Sequence, residues 1–221
     1  MKKNLKQLWQ EHKMLLLITS AVILLQTVVG VLIWGRLPAQ IATHFNFRNE
    51  PDGWSSKAFT VFGMPLILLA LHWISLMVSS APNVQMKNLH GKIRHLFWWI
   101  VPSVSVLMMV ICYTHALGTQ LDTGRIVLVF IGLLFAVTGN YMPKVRRNYS
   151  VGIKVPWTMS DDENWYKTHR MAAPIWVVCG MLLIIFGLIG YTTWAALAVV
   201  LVMILLPTVY SFILHLKQKN T

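Results

Sequence analysis

Two stretches hold most of the residues whose chemistry could matter. One, GRLPAQIATHFNFRNEPDGWSSKA from Gly35 to Ala58, places His44, Asn46, Asp52, Gly53, Trp54 and Lys57 close together. The other, PKVRRNYSVGIKVPWTMSDDENWYKTHR from Pro143 to Arg170, interleaves bases, carboxylates, tryptophans and His169. Imidazole beside carboxylate is the raw material of acid–base catalysis or of a metal site, but each needs a particular spacing. The chain has no H-E-x-x-H, no G-x-S-x-G and no glycine-rich phosphate loop. Its eight histidines are scattered, and His90 and His95 are five apart, off a shared helical face. No subset has the spacing of zinc ligands. Cys112 and Cys179 each lie inside an apolar run, without a C-x-x-C pattern. The expectation is a non-enzyme with no catalytic residue, no metal and no cofactor.

The elements that must position the two stretches follow from composition. The 221 residues are 56% hydrophobic and 12% charged, against roughly 25% charged in ordinary soluble domains. A mean hydropathy of +0.60 also excludes a disordered chain. The implied class is an all-α integral membrane protein. A spanning helix needs about 20 mostly apolar residues, since its backbone polar groups must be satisfied within the segment. Six segments qualify: Met14 to Trp34, Phe59 to Ser79, Leu96 to Leu117, Ile126 to Met142, Met171 to Gly190 and Thr193 to Leu214. The first is too long for a signal peptide and lacks an A-x-A cleavage site, so it is expected to stay as an anchor. None of the six contains Asp, Glu, Lys or Arg. His72 and His115 are their only ionisable groups besides tyrosine and cysteine, and His115 sits close enough to its span's end to reach water.

Orientation follows from the bases. With both termini inside, 15 of the 19 Lys and Arg face the cytoplasm, leaving Arg36, Arg48, Lys57 and Arg125 outside. The formal charge of +12, which in a soluble chain would point to nucleic acid, here points to anionic headgroups. The expected architecture is six transmembrane helices, N-in and C-in, with a long outer loop over 35–58 and a long inner loop carrying a short interfacial helix. Two membrane domains are expected, 1–80 with two helices and 81–221 with four, the second carrying the inner motif over 139–170.

Within the outer loop, Ile41, Thr43, Phe45 and Phe47 alternate with Ala42, His44, Asn46 and Arg48, the period of a short extended segment. Glu50-Pro51-Asp52-Gly53 has the composition of a turn, Trp54 suits an aromatic belt, and Ser55 or Ser56 can cap the second span. A loop folded onto headgroups and a binding surface explain this composition equally well. Within the inner loop, Ser160 and Glu163 read as a capping box opening a helix toward the fifth span, with Asp161 and Asp162 in its first turn. Trp157 and Trp165 point to a helix lying in the membrane interface, and a solvated helix re-entering the bilayer explains the spacing equally well.

The stretch LPAQIATHFN…EPDGWSSK resembles the N-terminal segment of a bacterial membrane family of unknown biochemical activity, whose pattern runs Pro-x-x-Ile-x-x-His-(Phe/Trp)-Asn, a turn with Gly, then Lys. GNYMPKVRRNYSVGIKVPWTMSDDENWYKTHR is similar to the signature of the SdpI-like immunity proteins, carried here by Asn140, Asn148, Gly152, Pro156, Trp157, Thr158, Trp165, His169 and Arg170. The two motifs occur in that order in the family. The Glu50-Pro51-Asp52 turn departs from the pattern, since the turn begins earlier in many relatives. The resemblance implies a multi-pass protein of a bacterial cell membrane that protects its producer against a secreted peptide toxin. It extends to sensing the toxin and holding a cytoplasmic transcriptional repressor at the membrane, with no direct nucleic acid binding. Toxin contact then falls to His44, Asn46, Asp52, Gly53, Trp54 and Lys57, in the loop large enough to meet a ligand from outside. The inner motif reads either as a docking surface, through His169 and Arg170, or as a purely structural seat.

Two other readings compete: a membrane sensor or transporter subunit without immunity activity, and a membrane-embedded enzyme. Ion-coupled carriers keep charged residues at membrane depth, and these spans hold none. Nor does the chain show an internal repeat.

Overall fold

The computed structural model describes residues 2–46, 48–79, 91–149, 151–190 and 194–219. Phe47, Ser150, the link carrying Lys87 and His90, the Tyr191-Thr192 turn and a domain boundary between residues 80 and 81 lie outside the described residues. In chain order the elements are α1 (Lys2–Leu32), β1 (Gln40–Phe45), β2 (Pro51–Ser56), α2 (Met64–Ser79), α3 (Gly91–Ala116), α4 (Thr123–Tyr141), α5 (Pro156–Ser160), α6 (Asp162–Ile189) and α7 (Trp194–Lys219). Among the described residues, six helical stretches are long and apolar enough to cross a membrane: His12–Leu32, Phe59–Val78, Ile93–Ala116, Thr123–Lys144, Asp162–Ile189 and Trp194–Lys219. They correspond one for one to the expected spans, and the protein is an all-α membrane protein with one small hairpin added.

That hairpin departs from the reading of the first long loop. β1 is where the period-two pattern placed an extended segment, but Glu50-Pro51-Asp52-Gly53 is not a turn. Pro51 instead opens β2, the position where a strand tolerates a residue without an N–H. The reversal is held by Asn46, whose carboxamide oxygen accepts from the backbone N–H groups of Arg48 at 2.8 Å and Glu50 at 3.1 Å. Asn49 takes the positive φ of 64° that asparagine tolerates. Register shifts after Ala42 and His44 interrupt the alternation, so Ile41 and Ala42 are both buried. Ser56 accepts from the Phe59 N–H at 3.2 Å, capping the π-helical turn that leads into α2 as expected.

The chain divides into two compact units, and α3 from Arg94 onward groups with α1, the hairpin and α2. In this first unit Leu37, Ile41, Val61, Met109, Cys112 and Tyr113 form a core that seats the hairpin on the helix ends. Deeper, Gln26 donates to Ser105 Oγ at 2.8 Å and the Tyr113 hydroxyl donates to the Gln26 carbonyl at 3.0 Å. His72 Nε2 lies 3.0 Å from Thr19 Oγ1. Polar groups in these spans therefore join helices, as interhelical hydrogen bonds do in lipid.

The second unit contains α4 to α7. α4 and α6 approach through glycine, since a Cβ on Gly180 would lie 2.6 Å from both Ala136 N and Gly132 O. Pro207 within α7 cannot donate to the Met203 carbonyl one turn back, and the Trp176 indole of α6 does so instead at 3.2 Å. α6 runs unbroken from Asp162 to Ile189, so the helix expected to begin near Ser160 and the fifth span are one element. Its cap is Asp161, whose carboxylate accepts from Glu163 N at 2.6 Å and Asn164 N at 2.9 Å. Ser160 is not the cap: its hydroxyl donates to the Trp157 carbonyl at 3.2 Å. A carboxylate at a helix N-terminus gains from the dipole as well as the hydrogen bonds, and Asp161 is one residue nearer.

Candidate functional site

The 143–170 loop is folded onto its own polar side chains. Asn148 is buried and turns the chain, donating to the carbonyls of Arg146 at 2.7 Å and Val151 at 3.0 Å while accepting from Val151 N at 2.7 Å. Thr158 is buried too. Its hydroxyl donates to the Ile153 carbonyl at 2.8 Å and accepts from Val155 N at 3.1 Å, closing the first turn of α5 behind Pro156. Pro156 sits in that turn, where no donor is lost, and holds Val155 extended at φ −113° and ψ 158°.

Trp165 and His169 form the centre. Trp165, expected at the membrane interface, is 2% exposed, and its indole donates to the Val145 carbonyl at 2.8 Å. Its ring stacks on His169 with centroids 4.0 Å apart. His169, grouped with Arg170 as a recognition residue, is only 1% exposed. The Ile153 N–H donates to its Nε2 at 3.0 Å, and its Nδ1 faces the Trp165 carbonyl at 2.8 Å. One nitrogen must accept and the other donate, so the imidazole is the neutral tautomer with its proton on Nδ1. Its side chain is thus closed off from direct contact with a partner. Gly152, at φ +129°, lies against both rings: a Cβ there would be 2.5 Å from His169 Nε2 and 2.7 Å from the Trp165 ring.

Trp157 ties the loop to α7, donating to Ser211 Oγ at 2.7 Å and packing near Phe212 and His215. Its ring is half-buried against α7. Sequence reasoning missed Asn164, Thr168 and Ser211, all fully buried. Asn164 donates to the Ser211 carbonyl at 2.9 Å and accepts from Thr168 at 3.1 Å. The signal was available in the i, i+4 spacing of Asn164 and Thr168 on one helical face. Arg147 was also passed over as one of many bases. It holds Asp162 at 2.7 Å and donates to the Met159 carbonyl at 2.7 Å.

Of the motif residues, Arg170 faces outward, donating to the Tyr166 hydroxyl at 2.7 Å with its guanidinium 5.9 Å from that ring. Asn140 is exposed on the last turn of α4 and stands apart from the cluster.

The hairpin sorts its candidates differently. His44 and Asp52 pair across the strands at 2.5 Å, with side chains 73% and 43% exposed. Trp54 is 56% exposed. Gly53 sits opposite His44, where an added Cβ would come within 2.9 Å of the histidine Cβ. Asn46 is spent on the turn and on Glu50, at 3.2 Å. Lys57 faces inward: its ammonium donates to the carbonyls of Trp34 at 3.2 Å and Leu37 at 3.0 Å and lies 4.8 Å from the Trp34 ring. It closes the end of the first span. The exposed face is therefore His44, Asp52 and Trp54, carried by Asn46, Gly53 and Lys57.

Among the described residues no group of three or more His, Cys, Asp or Glu could hold a metal ion. Residues 21–69 match a domain of unknown function, DUF1648, and residues 144–211 match the SdpI/YfhL protein family. The chain is 22% identical over 198 residues to "Immunity protein SdpI" of Bacillus subtilis (strain 168), covering 88% of this chain and 91% of that protein. No solved structure matches it. The SdpI/YfhL match coincides with the folded loop and its continuation into α6 and α7, and the DUF1648 match covers the hairpin and its flanking spans. The chain is thus a multi-pass protein of a bacterial cell membrane, with a stretch at 144–211 similar to the SdpI/YfhL protein family preceded by one similar to DUF1648.

Proposed function

We propose that this chain is a membrane immunity protein that protects a bacterial cell against a secreted toxic peptide, without catalysis. The supporting observation is the similarity to the Bacillus subtilis immunity protein along 88% of the chain, which takes in both the hairpin and the folded loop. In this reading the hairpin lies outside the cell and the 143–170 loop and both termini lie inside, as the basic asymmetry favours. The toxin then meets His44, Asp52 and Trp54. Deleting the gene is expected to sensitise the cell to secreted peptides of related bacteria. Trp54→Ala is expected to lower survival to that of the deletion strain at unchanged membrane abundance, because its side chain is exposed and carries little of the core. Full protection by an abundant Trp54→Ala, His44→Ala protein would remove the hairpin from the reading.

The orientation is tested with cysteines, since Cys112 and Cys179 are buried. Arg48→Cys is expected to react with a membrane-impermeant thiol reagent in intact cells, whereas Tyr149→Cys reacts only after lysis. Labelling of Tyr149→Cys alone in intact cells would invert the topology.

Sensing and repressor capture are the finer part of the reading. Arg170 and Tyr166 are the exposed pair beneath the folded loop, and a cytoplasmic repressor docking there would meet a guanidinium held by a phenol. Arg170→Ala is expected to keep abundance and immunity while abolishing toxin-dependent induction, read with a transcriptional reporter. Unchanged induction would leave Arg170 without that role.

A further inference from the structure

We propose that the end of the first unit remote from the hairpin holds a binding site for the phosphate of an anionic phospholipid headgroup, built by Arg94 and Trp98 of α3 with His12 of α1 and His95. Trp98 is 2% exposed and packs with Leu16 and Leu76, yet its indole N–H is buried without an acceptor. Arg94, one turn earlier on the same face of α3, has its Nε–H buried without an acceptor as well. The Arg94 guanidinium carbon lies 5.7 Å from the Trp98 ring centroid, His12 meets that ring edge-on at 4.9 Å, and His95 lies at 6.3 Å. α1 leaves helical geometry at His12, with φ −137° and ψ 18°.

Two buried N–H donors on one helix face, ringed by a guanidinium and two imidazoles, call for an oxygen acceptor carrying negative charge. Of the carboxylates whose side chains are described in this unit, Glu50 and Asp52 belong to the hairpin and Asp122 to the link that follows α3, so none of these three serves the two donors. The height of the cluster identifies the acceptor. His12 opens the first apolar span, Ile93 opens the third and Val78 ends the second, so the three helices share a membrane boundary here. That is the level of lipid phosphates, with the acyl chains running along Leu15, Trp73 and Phe97. The site is independent of the immunity reading.

The test uses the full chain purified in detergent micelles carrying equal phosphatidylglycerol and phosphatidylcholine, with retained lipid counted by native mass spectrometry. The wild-type protein is expected to retain phosphatidylglycerol over phosphatidylcholine. Arg94→Gln is expected to cut that retention about fivefold, the factor one basic contact contributes at an anionic surface, and Trp98→Phe, which keeps most of the ring and removes its N–H donor, is expected to lower it as well. Thermal midpoints measured in parallel should match the wild type. Inorganic phosphate is expected not to displace the lipid; displacement would assign the site to free anions and overturn the proposal. Equal retention of both lipids, or unchanged retention in both variants, would overturn it too. If Trp98→Phe fails to reach the membrane, Arg94→Gln decides alone, and unchanged retention in it refutes the site.

Discussion

Trp165→Ala is expected to remove about 3–5 kcal/mol of stability, the range for deleting a buried tryptophan. The loss has three parts. The cavity would open where the ring stacks on His169, 4.0 Å away. The Val145 carbonyl would lose its indole donor in a place with little access to water. His169, freed on one face, would no longer hold the Ile153 N–H in place. Trp165→Phe separates these parts, since it keeps most of the stacking and loses the hydrogen bond alone. It should fall between wild type and alanine, at about 1–3 kcal/mol. The measurement is the thermal midpoint in detergent together with membrane abundance. A wild-type midpoint in Trp165→Ala would mean that the loop is not organised around this ring.

Gly152→Ala is the second large effect, although it adds a single methyl group. The residue sits at φ +129°, where a side chain is strained by about 1–3 kcal/mol before any contact is counted. The methyl would also meet the Trp165 ring and His169 Nε2 closer than van der Waals contact allows, so the imidazole must shift and its bond from Ile153 must lengthen. Loss of abundance is expected, with a midpoint well below that of Asn140→Ala, a change at an exposed position away from the cluster. Equal midpoints for the two would refute the crowding argument.

The six spans were legible because about twenty apolar residues in a row have few other solutions. The strand at 40–45 was legible from alternation, and the start of α6 to within a residue or two from the Ser160 and Glu163 spacing, although the cap itself is Asp161. What the sequence hid was chosen by tertiary contact. Glu50-Pro51-Asp52-Gly53 and Asn46-to-Asn49 both have turn composition, and the reversal fell to the stretch whose asparagine side chain could take two backbone donors. Trp165 has the residue type of an interface belt, and its burial follows from contacts such as the one to the Val145 carbonyl, which residue type does not reveal. Lys57 looked like a surface base because its acceptors, the carbonyls of Trp34 and Leu37, belong to a helix end some twenty residues away. Burial of His169 follows from the Ile153 N–H, a backbone donor that residue type does not reveal.

The attachment of the loop to Ser211 has a consequence for how the protein is made. Trp157 and Asn164 are synthesised well before their acceptor, Ser211 on α7, leaves the ribosome and enters the bilayer. Until α7 arrives, an indole N–H and a carboxamide are left waiting, and the loop lacks two of its anchors. Insertion of α7 therefore completes this loop. A nascent chain cut short before Ser211 would present an unfinished loop to the proteases that clear incomplete membrane proteins, and only a fully inserted copy would display the finished surface.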